Sequence, residues 1–284
     1  MARTVILDGG FATELERRGV PSSGRLWSTR AVVEAPEAVE KLHRDYLTAG
    51  ADVISTATYQ GALGALAREG LDGPKVLKKA LEIAQKARDE VNPKARVAAS
   101  MGPYGAHLAD GSEYRGDYLL DLSALTEFHL RQADALVGAD ILAFETIPSA
   151  QEAEAILQAL ERLGAKREAW ISFSARSATH VARGDFGFAE IFALVGPHVD
   201  AIGLNCAPPE LIEEALLALP KSETKLLVYP NSGETWSALD RAWSGDPGDL
   251  ATRAKRYVEL GAQIVGGCCR TGPEDIARVR RALS

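Results

Sequence analysis

The strongest constraint on this chain is the alternation of short apolar runs with amphipathic helical patterns along its whole length. Eight apolar runs predict β-strands, and each is continuous rather than alternating, as in a parallel sheet with both faces buried. Patterns with apolar residues three and four positions apart lie between them and predict helices. The predicted strands are Val5–Leu7, Val53–Thr56, Val97–Ser100, Ile141–Phe144, Ala169–Phe173, Ala201–Leu204, Leu226–Tyr229 and Ile264–Val265.

Eight strand–helix pairs in 284 residues predict an α/β protein of the closed (β/α)₈ TIM-barrel class. Helices are expected near residues 36–49, 77–91, 122–137, 150–163, 188–195, 210–219, 249–260 and 273–282. No linker-like stretch divides the chain, so residues 1–284 are predicted to form one domain. An open doubly wound sheet is the alternative, but no G-x-G-x-x-G motif opens the first helix.

Composition narrows the classes of partner. The net charge of −7 with no basic block argues against nucleic acids and anionic membranes, and leaves small molecules and a homo-oligomer open. The chain has no apolar run of membrane-spanning length, and its first residues lack a secretory signal, which predicts a cytoplasmic protein. His43 and His129 lie on predicted helices and are expected to face solvent; no histidine receives a role.

Polar and reactive residues follow seven of the eight predicted strands. In a (β/α)₈ barrel the active site lies at the carboxyl ends of the strands, so these residues are expected on one rim. The segments are Asp8–Gly10, Thr58–Tyr59, Gly102–Tyr104, Glu145–Thr146, Asn205–Cys206, Pro230–Asn231 and Gly267–Cys269.

The three cysteines of the chain all fall on this rim. Cys206 ends the sixth strand, and Cys268 with Cys269 follows the eighth. Three thiolates would hold Zn²⁺ and leave one tetrahedral position open for a substrate thiol, provided that Gly266-Gly267 lets the backbone leave strand geometry. Spacing alone equally allows a buried Cys206 beside a redox-active vicinal pair, so both interpretations stay open at this point.

Several motifs, in order along nearly the whole chain, strongly resemble the homocysteine S-methyltransferase family. The three that carry most weight are DGGFATELE at residues 8–16, GLNC at 203–206 and GGCCRT at 266–271. Further matches are LWS at 26–28, TYQ at 58–60, GPYGAHLADGSEYRG at 102–116, FETIP at 144–148 and PNSGE at 230–234.

The resemblance implies a zinc-binding barrel in which Cys206, Cys268 and Cys269 are the ligands and homocysteine sulfur takes the open position. Methyl donors in the family are S-methylmethionine, S-adenosylmethionine, betaine or a methylated cobalamin. The chain lacks folate- and cobalamin-binding modules, which favours direct transfer from a sulfonium to give methionine. The alternatives are betaine as donor, selenocysteine as acceptor, or a non-catalytic zinc or redox-sensing barrel.

The resemblance also implies how the amino acid substrate binds. Glu145 matches the glutamate that takes the amino group of homocysteine; the alternative is a carboxylate that interacts with the helix starting near Ser149. Asp8 is expected to share the ammonium. The backbone of Gly9 and Gly10 is expected to approach the substrate carboxylate, with a simple turn as the alternative.

Asn205 and Asn231 are predicted to donate hydrogen bonds to the substrate or to cysteine sulfur, with turn formation as the alternative.

Aromatic residues near the rim are the candidates for binding the donor. Trp27 and Tyr59 could attract an onium cation through their ring faces, and Tyr59 could also take the open zinc position when substrate is absent. Thr58 and Thr146 stand where betaine-using relatives carry further rings. This thinner aromatic cage favours S-methylmethionine or S-adenosylmethionine over betaine.

Overall fold

A computed structural model describes residues 3–20, 26–164, 167–237 and 242–284. Eight parallel strands form one sheet in the order β1-β10-β7-β6-β5-β4-β3-β2, and β8 pairs with β9 in a separate antiparallel hairpin. The strands are β1 (Val5–Ile6), β2 (Val53–Ser55), β3 (Arg96–Met101), β4 (Ile141–Ile147), β5 (Ala169–Phe173), β6 (Ala201–Asn205), β7 (Lys225–Tyr229), β8 (Thr235–Ser237), β9 (Ala242–Ser244) and β10 (Ala262–Val265).

The two ends of the sheet meet, which makes it a barrel. Leu7 forms an isolated parallel bridge with Val53, and the Asp8 amide donates to the Val53 carbonyl at 3.1 Å. The amide of Asp52 donates to the carbonyl of Ile6 at 2.7 Å on the same seam. The predicted (β/α)₈ architecture is therefore confirmed.

Helices surround the barrel and end where the sequence signals predict. Helix α3 has Pro36 in its first turn and stops at Gly50, whose φ of 102° is readily adopted only by glycine. The helices are α1 (Phe11–Arg17), α2 (Ser28–Glu34), α3 (Pro36–Ala49), α4 (Leu63–Arg68), α5 (Gly73–Val91), α6 (Leu122–Ala135), α7 (Ala150–Arg162), α8 (Phe188–Val195), α9 (Pro209–Ala218), α10 (Leu250–Glu259) and α11 (Pro273–Ala282).

Apolar side chains fill two separate regions of the core. The larger one lies between the strands and the helices, and the smaller one fills the inside of the barrel. Large side chains inside the barrel, such as Trp170 and Leu227, are offset by small ones, such as Ala98, Ala143 and Ala201. This mixture of large and small side chains fills the inside of the barrel.

The structure corrects three expectations. His43 and His129 do not face solvent: both are fully buried, and burial lowers the pKa of each to about 3. Strand β4 continues to Ile147, so Glu145 lies within the strand rather than just past it. The short helices α1, α2 and α4 and the β8–β9 hairpin were not predicted, because each is too short to show a clear periodicity.

Candidate metal centre and active site

A pocket at the carboxyl ends of the barrel strands brings together the residues predicted for the site, except Asn205 and Asn231. Its lining includes Asp8, Gly9, Gly10, Trp27, Tyr59, Glu145, Cys206, Cys268 and Cys269. Side chains that the sequence did not single out complete the wall: Ser55, Ser100, Tyr114, Trp170 and Tyr229.

The three cysteine sulfurs converge on one point of this pocket. All three Sγ atoms lie within 4.8 Å of one another, and those of Cys206 and Cys269 are 3.8 Å apart. Two sulfurs bound to one tetrahedral zinc at about 2.3 Å each would lie about 3.8 Å apart. The cysteine cluster therefore has the dimensions of a three-thiolate metal site.

Departures from strand geometry aim the thiols at one another. Cys206 follows β6 with a φ of 51°, a left-handed conformation that is unfavourable for a residue with a Cβ. After β10, a turn from Cys268 to Thr271 is closed by the Thr271 amide and hydroxyl, which donate to the Cys268 carbonyl at 3.2 and 2.7 Å. Within this turn, the neighbouring thiols Cys268 and Cys269 both reach the cluster.

The glycines before the cysteines allow close packing rather than an unusual φ. A Cβ on Gly267 would lie 2.1 Å from Thr271 Oγ1, and one on Gly266 would lie 2.6 Å from Leu7 Cβ. The positive φ in this segment belongs instead to Arg270, at 67°. The expectation that Gly266-Gly267 bends the chain is thus replaced by a need for space.

Hydrogen bonding among the thiols polarises the cluster. Thiols of Cys268 and Cys269 donate to Cys206 and lower its pKa well below the ordinary value, while the same bonds raise the pKa of both donors. One thiolate held by two thiols is a negative centre that favours capture of a cation.

Asn231 acts on the cysteine loops and does not line the pocket. Its Oδ1 accepts a hydrogen bond from the Cys269 amide at 3.2 Å, and its own amide donates to the Ala207 carbonyl at 3.0 Å. Asn231 therefore joins the loop after Cys206 to the loop that carries the other two thiols.

Gly10 likewise has a different role from the one predicted. Its amide donates to Thr271, at 2.9 Å to the carbonyl and 3.2 Å to Oγ1, so this N–H is already engaged within the protein. A Cβ on Gly10 would lie 2.4 Å from the Cys268 carbonyl oxygen, and one on Gly9 would lie 2.7 Å from that of Thr271. The two glycines let the first strand–helix loop pack directly on the turn from Cys268 to Thr271.

Asp8 and Glu145 place two carboxyl groups in the pocket. Asp8 accepts hydrogen bonds from the Ser55 amide at 2.7 Å and hydroxyl at 3.2 Å, yet burial raises its pKa to about 7. Burial and the nearby Asp8 raise the pKa of Glu145 to about 8. Glu145 Oε1 has no hydrogen-bond partner among the described residues. Burial is the largest cause of both shifts, so a cation bound beside the two acids would stabilise both ionised forms.

A bulge in β4 turns both Glu145 and Thr146 toward the pocket. The pairing of β4 with β5 shifts register between Phe144 and Ile147, and Thr146 has a φ of 62°. Neighbouring residues of a regular strand face opposite sides, whereas both of these line the pocket.

Asn205 stabilises this bulge from behind. It is fully buried, its Oδ1 accepts from the Thr146 amide at 2.9 Å, and its Nδ2 donates to the Thr146 hydroxyl at 2.8 Å. The side-chain amide of Asn205 is thus engaged within the protein, where it supports the pocket wall.

The predicted donor-binding residues lie as follows. Trp27 lines the pocket, and its Nε1 donates to Glu16 at 3.1 Å. Tyr59 also lines it, and its hydroxyl interacts with that of Thr146. Thr58 points elsewhere: it is buried and donates to the Ser100 carbonyl at 2.7 Å. Of the two threonines, only Thr146 therefore lines the pocket.

Tyr114 is the main residue that sequence reasoning missed. Its hydroxyl lies 3.2 Å from Cys206 Sγ, and nearly half of the residue is exposed at the pocket mouth. Tyr114, rather than Tyr59, is thus the phenol in hydrogen-bond contact with the cysteine cluster. Its place in the matched segment 102–116 was the available signal, but nothing in the sequence shows that this loop folds back over the sixth strand.

Comparison with known proteins agrees with this geometry. Residues 5–283 match the family model described as homocysteine S-methyltransferase. The chain belongs to the homocysteine S-methyltransferase family. It is therefore a methyltransferase that acts on small molecules, as the motifs predicted.

Individual homocysteine S-methyltransferases match nearly end to end. Homocysteine S-methyltransferase YbgG of Bacillus subtilis is 40% identical, over 97% of this chain and 93% of the relative. A selenocysteine Se-methyltransferase of Brassica oleracea is 39% identical, over 98% of this chain and 88% of the relative. The metallated homocysteine methyltransferase MmuM from Escherichia coli superposes with a TM-score of 0.88 at 38% identity, covering 99% and 96% of the two chains.

The described part of the chain contains no helix long and apolar enough to cross a membrane.

Proposed function

We propose that this protein transfers a methyl group from a sulfonium donor, S-methylmethionine or S-adenosylmethionine, to the thiolate of homocysteine, giving methionine. We propose a single domain over residues 1–284 and a cytoplasmic location, where thiols stay reduced. The observation that carries the proposal is the convergence, in one pocket, of three cysteine sulfurs and the carboxyl groups of Asp8 and Glu145, of which Glu145 leaves Oε1 without a partner among the described residues. The first set suits a metal that binds thiols, and the second suits an ammonium.

The cysteine cluster supports zinc as the metal. Soft thiolate ligands favour Zn²⁺ over Mg²⁺ or Mn²⁺, and the sulfur separation of 3.8 Å fits tetrahedral coordination. Zinc held by three cysteines would supply a fourth position at which a substrate thiol is ionised near neutral pH.

Asp8 and Glu145 would orient the substrate amine. An ammonium between them would favour both ionised carboxylates, so binding would lower the two raised pKa values and release protons near neutral pH. Glu145 Oε1, without a partner among the residues described, is the acceptor that such an ammonium would satisfy. Gly9 remains our candidate for approach to the substrate carboxylate.

The aromatic wall would assist the transfer itself. The attacking thiolate and the sulfonium have opposite charges that cancel as the methyl moves, so a site that excludes water favours the reaction. Trp27, Tyr59 and Tyr114 border the space above the thiols and would attract the cationic donor through their rings.

Selenocysteine is a second candidate acceptor. A relative that is 39% identical over 98% of this chain is named a selenocysteine Se-methyltransferase. A selenolate would be held by the same thiophilic metal, so the cysteine cluster does not discriminate between the two acceptors.

The decisive experiment supplies zinc-loaded protein with homocysteine and each donor at equal concentration, and measures methionine. We expect S-methylmethionine to react best, S-adenosylmethionine less well and betaine hardly at all, since betaine needs aromatic faces on several sides and Thr146 offers none. Betaine reacting as well as the sulfoniums would contradict the donor assignment. No methionine with any donor, together with disulfide formation and metal loss on oxidation, would favour the redox-sensing alternative.

A further inference from the structure

A second group of buried polar side chains lies outside the pocket, around Glu152 in the first turn of α7. Glu152 is fully buried, and three groups contact its carboxyl oxygens. The Tyr104 amide donates to Oε1 at 2.7 Å, His129 Nε2 lies 2.9 Å from Oε1, and the Tyr118 hydroxyl donates to Oε2. Burial keeps His129 neutral, so it contributes a hydrogen bond rather than a positive charge.

Two of these contacts come from opposite ends of one loop. The segment between β3 and α6 starts near Tyr104 and returns to the barrel wall near Tyr118, and both ends meet the same carboxyl group. Between them lies Tyr114, whose hydroxyl contacts Cys206. A single side chain therefore closes the base of the loop that covers the cysteine cluster.

We propose that Glu152 is a positioning residue: by holding both ends of the 104–118 loop, it fixes the Tyr114 hydroxyl against Cys206. The consequence for methyl transfer rests on the function proposed above, whereas the placement of Tyr114 does not. Of the other side-chain contacts, the Ser174 hydroxyl donates to the Glu113 carbonyl within the loop at 3.4 Å, and Gln151 donates to the Leu120 carbonyl just beyond it at 3.1 Å. Each of these meets the chain at a single point, so neither ties the two ends of the loop together.

The test compares Tyr118→Phe with Tyr104→Phe in the metal-free protein. Tyr118→Phe removes the hydroxyl that binds Glu152 and keeps the ring. Tyr104→Phe is the matched control, because the residue binds Glu152 through its backbone amide, which the substitution retains. The measured quantity is the rate of Cys206 alkylation by iodoacetamide at low conversion, relative to Cys268 in the same molecule, by peptide mass spectrometry.

We expect Tyr118→Phe to raise the relative alkylation rate of Cys206 about three- to tenfold, which is the size of effect that the loss of one buried hydrogen bond can produce. Tyr104→Phe should change it less than about twofold. Hydrogen–deuterium exchange in the 104–118 loop should be faster in Tyr118→Phe than in the control, with the rest of the barrel unchanged.

A double substitution separates positioning from general loosening. Tyr114→Ala alone should raise Cys206 alkylation, and adding Tyr118→Phe to it should change the rate little, because the side chain to be positioned is gone. Additive effects, or equal rates in Tyr118→Phe and Tyr104→Phe, would overturn the proposal. These readouts need neither zinc nor methyl transfer, so a failure of the proposed function would leave them interpretable.

Discussion

Glu145 and Glu152 are two buried carboxyl groups on either side of the end of β4, and they differ in what surrounds them. Burial raises the pKa of each to about 8. Glu152 has a backbone amide, a phenol and an imidazole as partners, whereas Glu145 leaves Oε1 without one in the described part of the chain. A raised pKa alone therefore does not distinguish them.

The difference lies in the partners, and it indicates the role. A buried carboxyl group whose hydrogen bonds are complete stabilises the fold around it. The groups that donate to it have lost their hydrogen bonds to water, and the carboxyl oxygens replace those bonds. One left incomplete at a pocket costs stability until a ligand completes it. We thus assign Glu145 to substrate binding and Glu152 to the scaffold, and the following predictions test that assignment.

The largest effect is expected from the cysteines, which lie in the same pocket as Glu145. Cys206→Ala, Cys268→Ala and Cys269→Ala should each lose the co-purifying zinc, which we expect at one ion per wild-type chain. Each should also lower methyl transfer more than about 100-fold, because mutating a residue that only supports a metal ligand already lowers activity about 10- to 100-fold. The barrel should persist, because the site lies on a preformed rim. Metal analysis and circular dichroism check this; full zinc occupancy in all three variants would refute the ligand assignment.

Leucine at the two glutamate positions should have different consequences for stability. Glu152→Leu strands the Tyr104 amide and the Tyr118 hydroxyl and should lower the free energy of unfolding by about 3 kcal/mol. Glu145→Leu removes an incompletely paired carboxyl and should change it by less than about 1 kcal/mol, or raise it. Urea denaturation of the metal-free proteins at pH 7 measures both. Equal decreases in the free energy of unfolding of the two variants would contradict the different roles assigned to Glu145 and Glu152.

Glutamine at Glu145 should affect catalysis more than structure. The substitution keeps the shape but removes the charge that would pair with the substrate amine, so kcat/KM for homocysteine should fall at least about tenfold, or roughly 1.4 kcal/mol. Zinc content should not change. Glu161→Gln, on the exposed face of α7, is the matched control for loss of one acidic charge. Wild-type kinetics in Glu145→Gln would place the amine elsewhere.

The smallest effect concerns pH. The carboxyl of Glu145 has an ordinary pKa near 4.5 and a folded-state pKa of about 8, so between these values the folded protein binds more protons than the unfolded chain. Stability of the metal-free, substrate-free protein should therefore fall as pH rises through this range, by at most about 1.4 kcal/mol per unit for one group. Unfolding measured from pH 5 to pH 8 should show a shallower decline in Glu145→Gln. Asp8, whose pKa is about 7, should preserve part of the slope; identical curves would contradict the folded-state pKa of Glu145.

Local patterns were sufficient for the barrel and for the cysteine cluster. Continuous apolar runs and helical periodicity depend on neighbouring residues, so they predicted the eight strands of the barrel. The placement of Cys206, Cys268 and Cys269 on one rim follows from strand order alone, because parallel strands end on the same side. Their contact within 4.8 Å agrees with that expectation.

Long-range contacts decided which side chains face the pocket. Asn205 follows the motif pattern of a ligand-binding residue, yet its side-chain amide on β6 supports Thr146 on β4, across the intervening strand β5. Thr58 lies beside Tyr59 in the sequence, but its hydroxyl binds Ser100 and leaves the pocket to its neighbour. A bulge or a buried hydrogen bond selects one of two adjacent side chains, and neither can be read from periodicity.

The sequence by itself determined the fold class, the family and the identity of the thiols, because each depends on order along the chain. Only the tertiary structure decided that Tyr114 reaches Cys206 and that Glu152 binds both ends of its loop. These contacts join segments distant in the sequence, and their geometry depends on how the loops pack once the barrel has closed.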